Sequence, residues 1–257
     1  MAKSKPLILV TNDDGFYASG LHALIDAVKE LGDVFVVAPD RPQSGMGHAI
    51  TINSTLRVSR MHHFGVAGEY TCSGTPVDCV KMAVNKLLPR KPDLCVSGIN
   101  HGANHSINII YSGTMSAAVE SAIEGIPSLG LSLLDYSLEA DFTAAAHYST
   151  KLARRVLESG LPAGVCLNVN IPKLPAEKLK GIKVCRQAYG TWVEELDERT
   201  DPAGRTYFWL TGAFKNFEEG AEDTDAWALS NGYVSVVPVQ FDMTAHKALA
   251  GLKDIEN

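Results

Sequence analysis

Residues 7–38 read LILVTNDDGFYASGLHALIDAVKELGDVFVVA, and this stretch decides the fold. It opens on a continuous aliphatic run, Leu7 to Thr11, the pattern of a strand buried on both faces and therefore of a parallel sheet covered by helices. After a turn, Leu21, Leu24, Ile25, Val28 and Leu31 recur at helical spacing. Gly32 ends that helix, and Val34 to Ala38 forms a second buried run. Strand, helix, strand in this order is one βαβ unit, whose crossover is right-handed.

The alternation continues outward from it. Val77, Val80, Met82, Val84 and Leu87 predict a helix, Leu94 to Ser97 a strand, and Ala117 to Ile123 a helix. Leu129 to Leu133 then reads as a strand, Phe142 to Leu157 as a longer helix and Val165 to Val169 as a strand. Met46 to Ser59 has the alternation of an edge hairpin. After Pro172 the character changes, with Tyr189, Trp192, Tyr207, Phe208, Trp209, Phe214 and Phe217 set among charges and prolines. There Arg205 to Leu210 reads as a strand between acidic turns, and Tyr233 to Val239 as a final strand before a short helix around Ala245 to Leu252. The expectation is an α/β chain: a core with a mostly parallel sheet over residues 1–172 and a β-rich C-terminal extension over residues 173–257. The aromatics of the extension suit either a subunit interface or packing on the parent domain.

Composition narrows the function classes. The chain has 257 residues, 46% hydrophobic and 20% charged, ordinary for a globular protein with a sizeable core. A net charge of −6 argues against a non-specific nucleic-acid binder, yet leaves small anions open, since backbone N–H groups or a cation hold those without a basic surface. No apolar run approaches the roughly 20 residues that cross a bilayer, and Leu7 to Val10 leads into a turn, unlike a signal peptide. The five cysteines, Cys72, Cys79, Cys95, Cys166 and Cys185, are scattered without a CxxC pair, which points away from zinc and toward reduced, buried thiols in a cytoplasm.

In open parallel sheets, ligands bind beyond the carboxyl ends of the strands. The unusual residues collect there: Asn12-Asp13-Asp14-Gly15 after the first strand, Asp40 to His48 after the second, Gly98 to Asn104 after the strand at Leu94, and Ser112-Gly113-Thr114 before an Ala-rich helix. Asp13 and Asp14 are adjacent carboxylates that repel, and a hard divalent cation relieves them. Helix capping explains the same two residues when they are read alone. Ser44 reads as a nucleophile, a metal ligand or a turn residue; Pro42 stands where a nucleophile elbow needs Gly. Asn100 and Asn104 offer amides to a cation or to phosphate oxygens, and Ser112, Gly113 and Thr114 at a helix N-terminus offer an anion cradle. His48, His101 and His105 fall in these loops, and none is singled out as an essential acid.

Taken together, the segments ILVTNDDGFYASGLHAL, VVAPDRPQSGMGHAIT, CSGTPVDCV, PDLCVSGINHGANHSINIIYSGTMSAAVES and DTDAWALSNGYVSVVPVQFDMTAH resemble the SurE family of stationary-phase survival proteins, which are metal-dependent 5′-nucleotidases. The resemblance spans nearly the whole chain in order. It implies a Rossmann-like three-layer core with a C-terminal extension exchanged between subunits, in homodimers or homotetramers. It also implies one divalent cation per subunit, Mg2+ or Mn2+, held by Asp13, Asp14, Ser44 and Asn100, with phosphate contacts from Asn100, Asn104, Ser112, Gly113 and Thr114. The implied substrates are nucleoside 5′- and 3′-monophosphates, with short polyphosphate also degraded by some members. Ser106 and Ser121 depart from the pattern, standing where the family commonly has Leu-Gly and Gly; this bears on loop shape and not on the reaction.

The expected chemistry is cation-assisted phosphomonoester hydrolysis in which Asp13 and Asp14 are the catalytic carboxylates, either holding the cation or acting as base. A dinucleotide-dependent oxidoreductase needs G-x-G-x-x-G where Asn12-Asp13-Asp14-Gly15 stands. A phosphatase forming an aspartyl-phosphate on Asp13 and a non-catalytic metal or nucleotide binder are the alternatives that this sequence leaves open.

Overall fold

The computed structural model describes residues 5–137 and 139–256. The opening run, β1 (Leu7–Thr11), is buried at all five positions, as a strand covered on both faces must be. After it come α1 (Ser19–Val28), β2 (Asp33–Pro39), β3 (Val58–Arg60), β4 (Gly68–Cys72) and α2 (Pro76–Met82), which widens into a π turn over Ala83–Leu87. β5 (Leu94–His101), α3 (Gly113–Ile123), β6 (Ser128–Leu133), α4 (Thr143–Ser159) and β7 (Val165–Ile171) complete the alternation. The remainder contributes β8 (Ile182–Val184), β9 (Gly190–Thr200), β10 (Thr206–Asn216), α5 (Asp225–Ser230), β11 (Val234–Gln240) and a 3-10 segment, His246–Glu256.

Nine strands form one sheet in the order β3-β4-β2-β1-β5-β6-β7-β11-β8. From β4 to β7 every neighbour is parallel; β3 at one end and β11 at the other run antiparallel to their neighbours β4 and β7. The sheet is the middle of three layers. Ile8 and Val10 pack with Leu21, Leu24 and Ile25 of α1 and Leu152 of α4, whereas Leu9 faces the other way against Val80 of α2 and Ala117 of α3. Each such fully buried aliphatic side chain contributes about 1.5–3 kcal/mol, so the strand alternation anchors both helix layers. β1 continues on one side to β2 and on the other to β5, and this reversal of strand order opens a crevice at their carboxyl ends.

Two expectations for the edges need correction. Residues 46–57 contain no strand, and the antiparallel edge pair is β3 with β4. The polar groups of the earlier segment go to α2 instead, with Ala49 accepting from Thr75 and Thr51 donating to Asp78. The strand read at Arg205–Leu210 is the first half of the longer β10, whose antiparallel partner β9 had no signal of its own. This two-stranded hairpin stands outside the main sheet, and Phe208, Trp209 and Leu210 on it are exposed. All five cysteines are buried and free. Among the described residues no helix is long and apolar enough to cross a membrane.

Candidate active site

The carboxyl ends of β1 and β5 bring Asp13, Asp14 and the start of α3 together, with Asn100 on β5. Asp13, two residues beyond the end of β1, is buried, 4% exposed, while Asp14 is half-buried. The Thr114 hydroxyl at the start of α3 donates to Oδ1 of Asp13. Burial and, next, the charge of Asp14 push the Asp13 carboxyl up to about 6, against the opposing hydrogen bonds of Thr114. Burial also raises Asp14, opposed by the backbone N–H and the ring of His101. Two adjacent, desolvated carboxylates are each less acidic than usual, and a bound cation reverses that. Capping does not account for the pair: α1 begins at Ser19, and its N-cap residue is Ala18.

Gly113 explains how α3 approaches so closely. A Cβ on it would lie 2.7 Å from Asp13 Cβ and 2.9 Å from Asp13 Oδ2, so no larger residue fits without moving the carboxylate. Ser112 is the N-cap of α3, its Oγ accepting from Met115 N at 3.0 Å, which leaves its own proton free to donate. The helix start thus presents backbone N–H groups, a hydroxyl and the positive end of the helix dipole beside Asp13.

Asn100 sits where β5 shifts register between Ser97 and Asn100, a bulge in which Gly98 has φ +132° and the Gly98–Ile99 peptide is cis. Its Nδ2 donates to the carbonyls of His101 (3.1 Å) and Gly102 (2.9 Å). Both amide hydrogens are therefore engaged, and its carbonyl oxygen is the end left to serve as a donor to a cation. Ser44 is exposed in the loop after β2; Gln43 N donates to Asp13 O at 2.7 Å and Gly47 N to Tyr111 O at 3.2 Å, so the loop spans from β1 to the approach of α3.

Asn104 is buried in a network that its sequence neighbours do not announce. Its Nδ2 donates to Ser132 Oγ (2.8 Å), its backbone N to Asn170 Oδ1 (2.8 Å), and its carbonyl accepts from Asn168 Nδ2 (2.7 Å). Asn170 in turn donates to Asn168 at 2.9 Å. Ser106 follows with φ 52°, the one positive-φ residue besides glycines among those described. Asp225 of α5 holds that turn by accepting from Ser106 N (2.8 Å) and Ala188 N (2.9 Å), while Ser106 Oγ donates to Ala188 O. Ser132, Asn168, Asn170 and Asp225 had no assigned role in the sequence. Two asparagines inside the buried strand LNVNI are the signal that was available, since a polar side chain at an interior strand position needs a specific partner.

The donor set suits a hard cation. Asp13, Asp14, the Ser44 hydroxyl and the Asn100 carbonyl are all oxygens, the ligands of Mg2+ or Mn2+ and not of a thiophilic metal. Among the described residues no group of three or more His, Cys, Asp or Glu forms a metal cluster, so a cation here needs the neutral oxygens as well as the carboxylates. Beneath the pair, Thr11 Oγ1, Asn12 Oδ1 and Ser97 Oγ are buried without hydrogen-bond partners, a further sign of polar chemistry at this strand end.

A family model described as Survival protein SurE matches residues 8–194. A protein of Flavobacterium psychrophilum named 5′-nucleotidase SurE is 63% identical over 98% of both chains. One of Christiangramia forsetii with the same name is 62% identical over 98% of this chain and 97% of its own. The crystal structure of the SurE protein from Aquifex aeolicus superposes with a TM-score of 0.85 at 40% identity, covering 98% of this chain and 100% of that one.

Proposed function

The chain belongs to the SurE family, and on that premise we propose that it is a divalent-metal-dependent 5′-nucleotidase, hydrolysing nucleoside monophosphates to nucleoside and phosphate. One observation carries the reading: the desolvated Asp13, next in sequence to Asp14, lies against the N-terminus of α3, so carboxylates suited to a cation adjoin a helix start suited to an anion.

Each residue then has a physical task. The N–H groups at Gly113 and Thr114 and the Ser112 hydroxyl hold the anionic oxygens of the phosphoryl group and stabilise charge that grows on them. Thr114 fixes the orientation of Asp13. The Asn104, Ser132, Asn168 and Asn170 network keeps the 102–106 loop in one conformation at the mouth of the crevice. Asp13, Asp14, Ser44 and Asn100 would hold the cation, which when bound neutralises the carboxylates and supplies electrophilic assistance to the phosphoryl group. We assign to Asp14, the more accessible carboxylate, the task of taking a proton from attacking water. The aspartyl-phosphate alternative is disfavoured at Asp13, which is buried and whose Oδ1 is engaged by Thr114.

The cation we assign is Mg2+ or Mn2+, one per subunit. We assign the cytoplasm as the compartment, in keeping with five free thiols. We also assign a homodimer or homotetramer, supported by the exposed apolar side chains of the β9–β10 hairpin, where Trp209 is 58% and Leu210 69% exposed, one on each face. The deciding experiment is phosphate release from a panel of nucleoside 5′- and 3′-monophosphates and short polyphosphate, before and after EDTA and with Mn2+ or Mg2+ restored. Turnover that survives chelation refutes the metal dependence, and no release from any nucleotide refutes the nucleotidase.

A further inference from the structure

Residues 43–51 have no regular structure, and within them Gly45 and Gly47 hold positive φ, 75° and 55°. Nothing lies within 4 Å of where a Cβ on Gly45 would sit. A segment of this kind has little intrinsic order, and fixing it costs backbone entropy that other contacts must offset. Besides the backbone bonds of Gln43 N to Asp13 O and Gly47 N to Tyr111 O, those contacts come from two helices. Beyond His48, the α2 capping box holds the chain: the Thr75 hydroxyl donates to Ala49 O at 2.7 Å, and Asp78 accepts from Thr51 N at 3.1 Å. At His48 itself, Nε2 lies 2.9 Å from Oε2 of Glu120 on α3.

Glu120 is unusual in its setting. Its side chain is only 3% exposed, and its second oxygen pairs with the Lys81 ammonium of α2. Burial works to raise its pKa, and the bonds from His48 and Lys81 outweigh that, keeping the carboxyl below the ordinary value. A buried carboxylate shared between a loop histidine and a lysine of a neighbouring helix is expensive unless both partners stay in place. The hydrolytic mechanism does not use this charge. It lies on the same helix as Thr114, which bonds Asp13.

We propose that Glu120 and His48 are positioning residues, clamping the 43–48 loop to α3 so that the helix orienting Asp13 also orients Ser44. The proposal rests on the reading of Ser44 as a cation donor. α3 then serves as a common reference for donors that arrive from separate strands.

The test compares His48→Ala with His48→Gln, which keeps a donor of similar reach; His48 is 38% exposed, and Lys81 still pairs with the buried Glu120 in both variants. Two quantities are read: hydrogen–deuterium exchange of the 43–48 segment in EDTA-treated protein, and the Mn2+ concentration giving half-maximal hydrolysis of a nucleoside 5′-monophosphate. His48→Ala is expected to speed loop exchange and to raise half-saturating Mn2+, each by about tenfold, as for loss of one hydrogen bond to a charged group. Exchange in β1 and α4 stays unchanged, and His48→Gln restores both quantities to within about threefold of the original protein. Unchanged loop exchange in His48→Ala overturns the clamp. Faster exchange with unchanged half-saturating Mn2+ overturns the link to Ser44, and equal behaviour of the Gln and Ala variants overturns the hydrogen bond as its cause. If the unmodified protein shows no Mn2+-dependent hydrolysis, the nucleotidase reading fails instead, and the exchange comparison still decides the clamp.

Discussion

Adding one methyl group at Gly113 should disable the enzyme while barely unfolding it. Gly113 is not in the positive-φ region, so alanine suits its backbone, and by chain entropy alone the change stabilises by about 0.4–1 kcal/mol. The side chain has nowhere to go. Its Cβ would stand 2.7 Å from Asp13 Cβ, 2.9 Å from Oδ2 and 3.1 Å from Cγ. Carbon atoms rest about 3.5–4.0 Å apart, so Asp13 or the helix start must retreat by roughly 1 Å. Asp13 resists, being 4% exposed, bonded by Thr114 and tied at its carbonyl to Gln43 N. Overpacking of this kind costs about 1–3 kcal/mol, which outweighs the entropy gain and lowers Tm by a few degrees, at about 2–4 °C per kcal/mol. The larger effect is on catalysis, where a misplacement of about 1 Å lowers turnover on the order of 100-fold. Phosphate release at saturating Mn2+ and a thermal melt in EDTA measure the two. A raised Tm with turnover within threefold of the original would refute the packing of α3 on Asp13 and the role given to that carboxylate.

Asp13→Asn should abolish turnover, by 100-fold or more, and stabilise the metal-free protein. The Asp13 carboxyl, pushed up to about 6 from an ordinary 3.8 by burial and then by Asp14, binds its proton more tightly folded than unfolded. Stability of the EDTA-treated protein should therefore rise as pH falls from 7 toward 4, because the ionised form costs on the order of 3 kcal/mol above pH 6. The Asn variant should lack that slope, and identical pH profiles would refute the assignment. Asp225→Ala leaves the N–H groups of Ser106 and Ala188 without their acceptor and should cost about 3–5 kcal/mol, lowering Tm by roughly 10 °C; an unchanged melt would refute its buttressing role. Light scattering should show an oligomer that Trp209→Glu, on the exposed hairpin, dissociates; a monomeric original protein would refute the interface.

The parallel core was legible because each of its elements carries its own signal. Leu7–Thr11 is unbroken aliphatic, and Leu21, Leu24, Ile25 and Val28 mark one helix face. β9 was missed because TWVEELDERT in a hairpin outside the sheet has no buried face to impose alternation. Residues 46–57 misled in the opposite direction: their alternation is real, yet their partners are the caps of α2, 26 and 27 residues away. Within the site, Asp13, Asp14 and the Ser112–Thr114 helix start stood out by position at strand ends. Asn168, Asn170, Glu120 and Asp225 did not, because each acts through a partner 64 to 119 residues distant, a pairing that only the folded sheet creates.

The hydrogen bond from Ser106 to Asp225 also has a consequence in time. Its partners are 119 residues apart, so at a synthesis rate of 5–20 residues per second the loop turn waits roughly 6 to 24 s for its support. The carboxylates after β1 emerge long before the buttress that shapes the loop beside them. A ribosome-bound chain thus holds Asp13 and Asp14 ahead of a settled Asn104 loop, and the crevice matures only after α5 has emerged and docked.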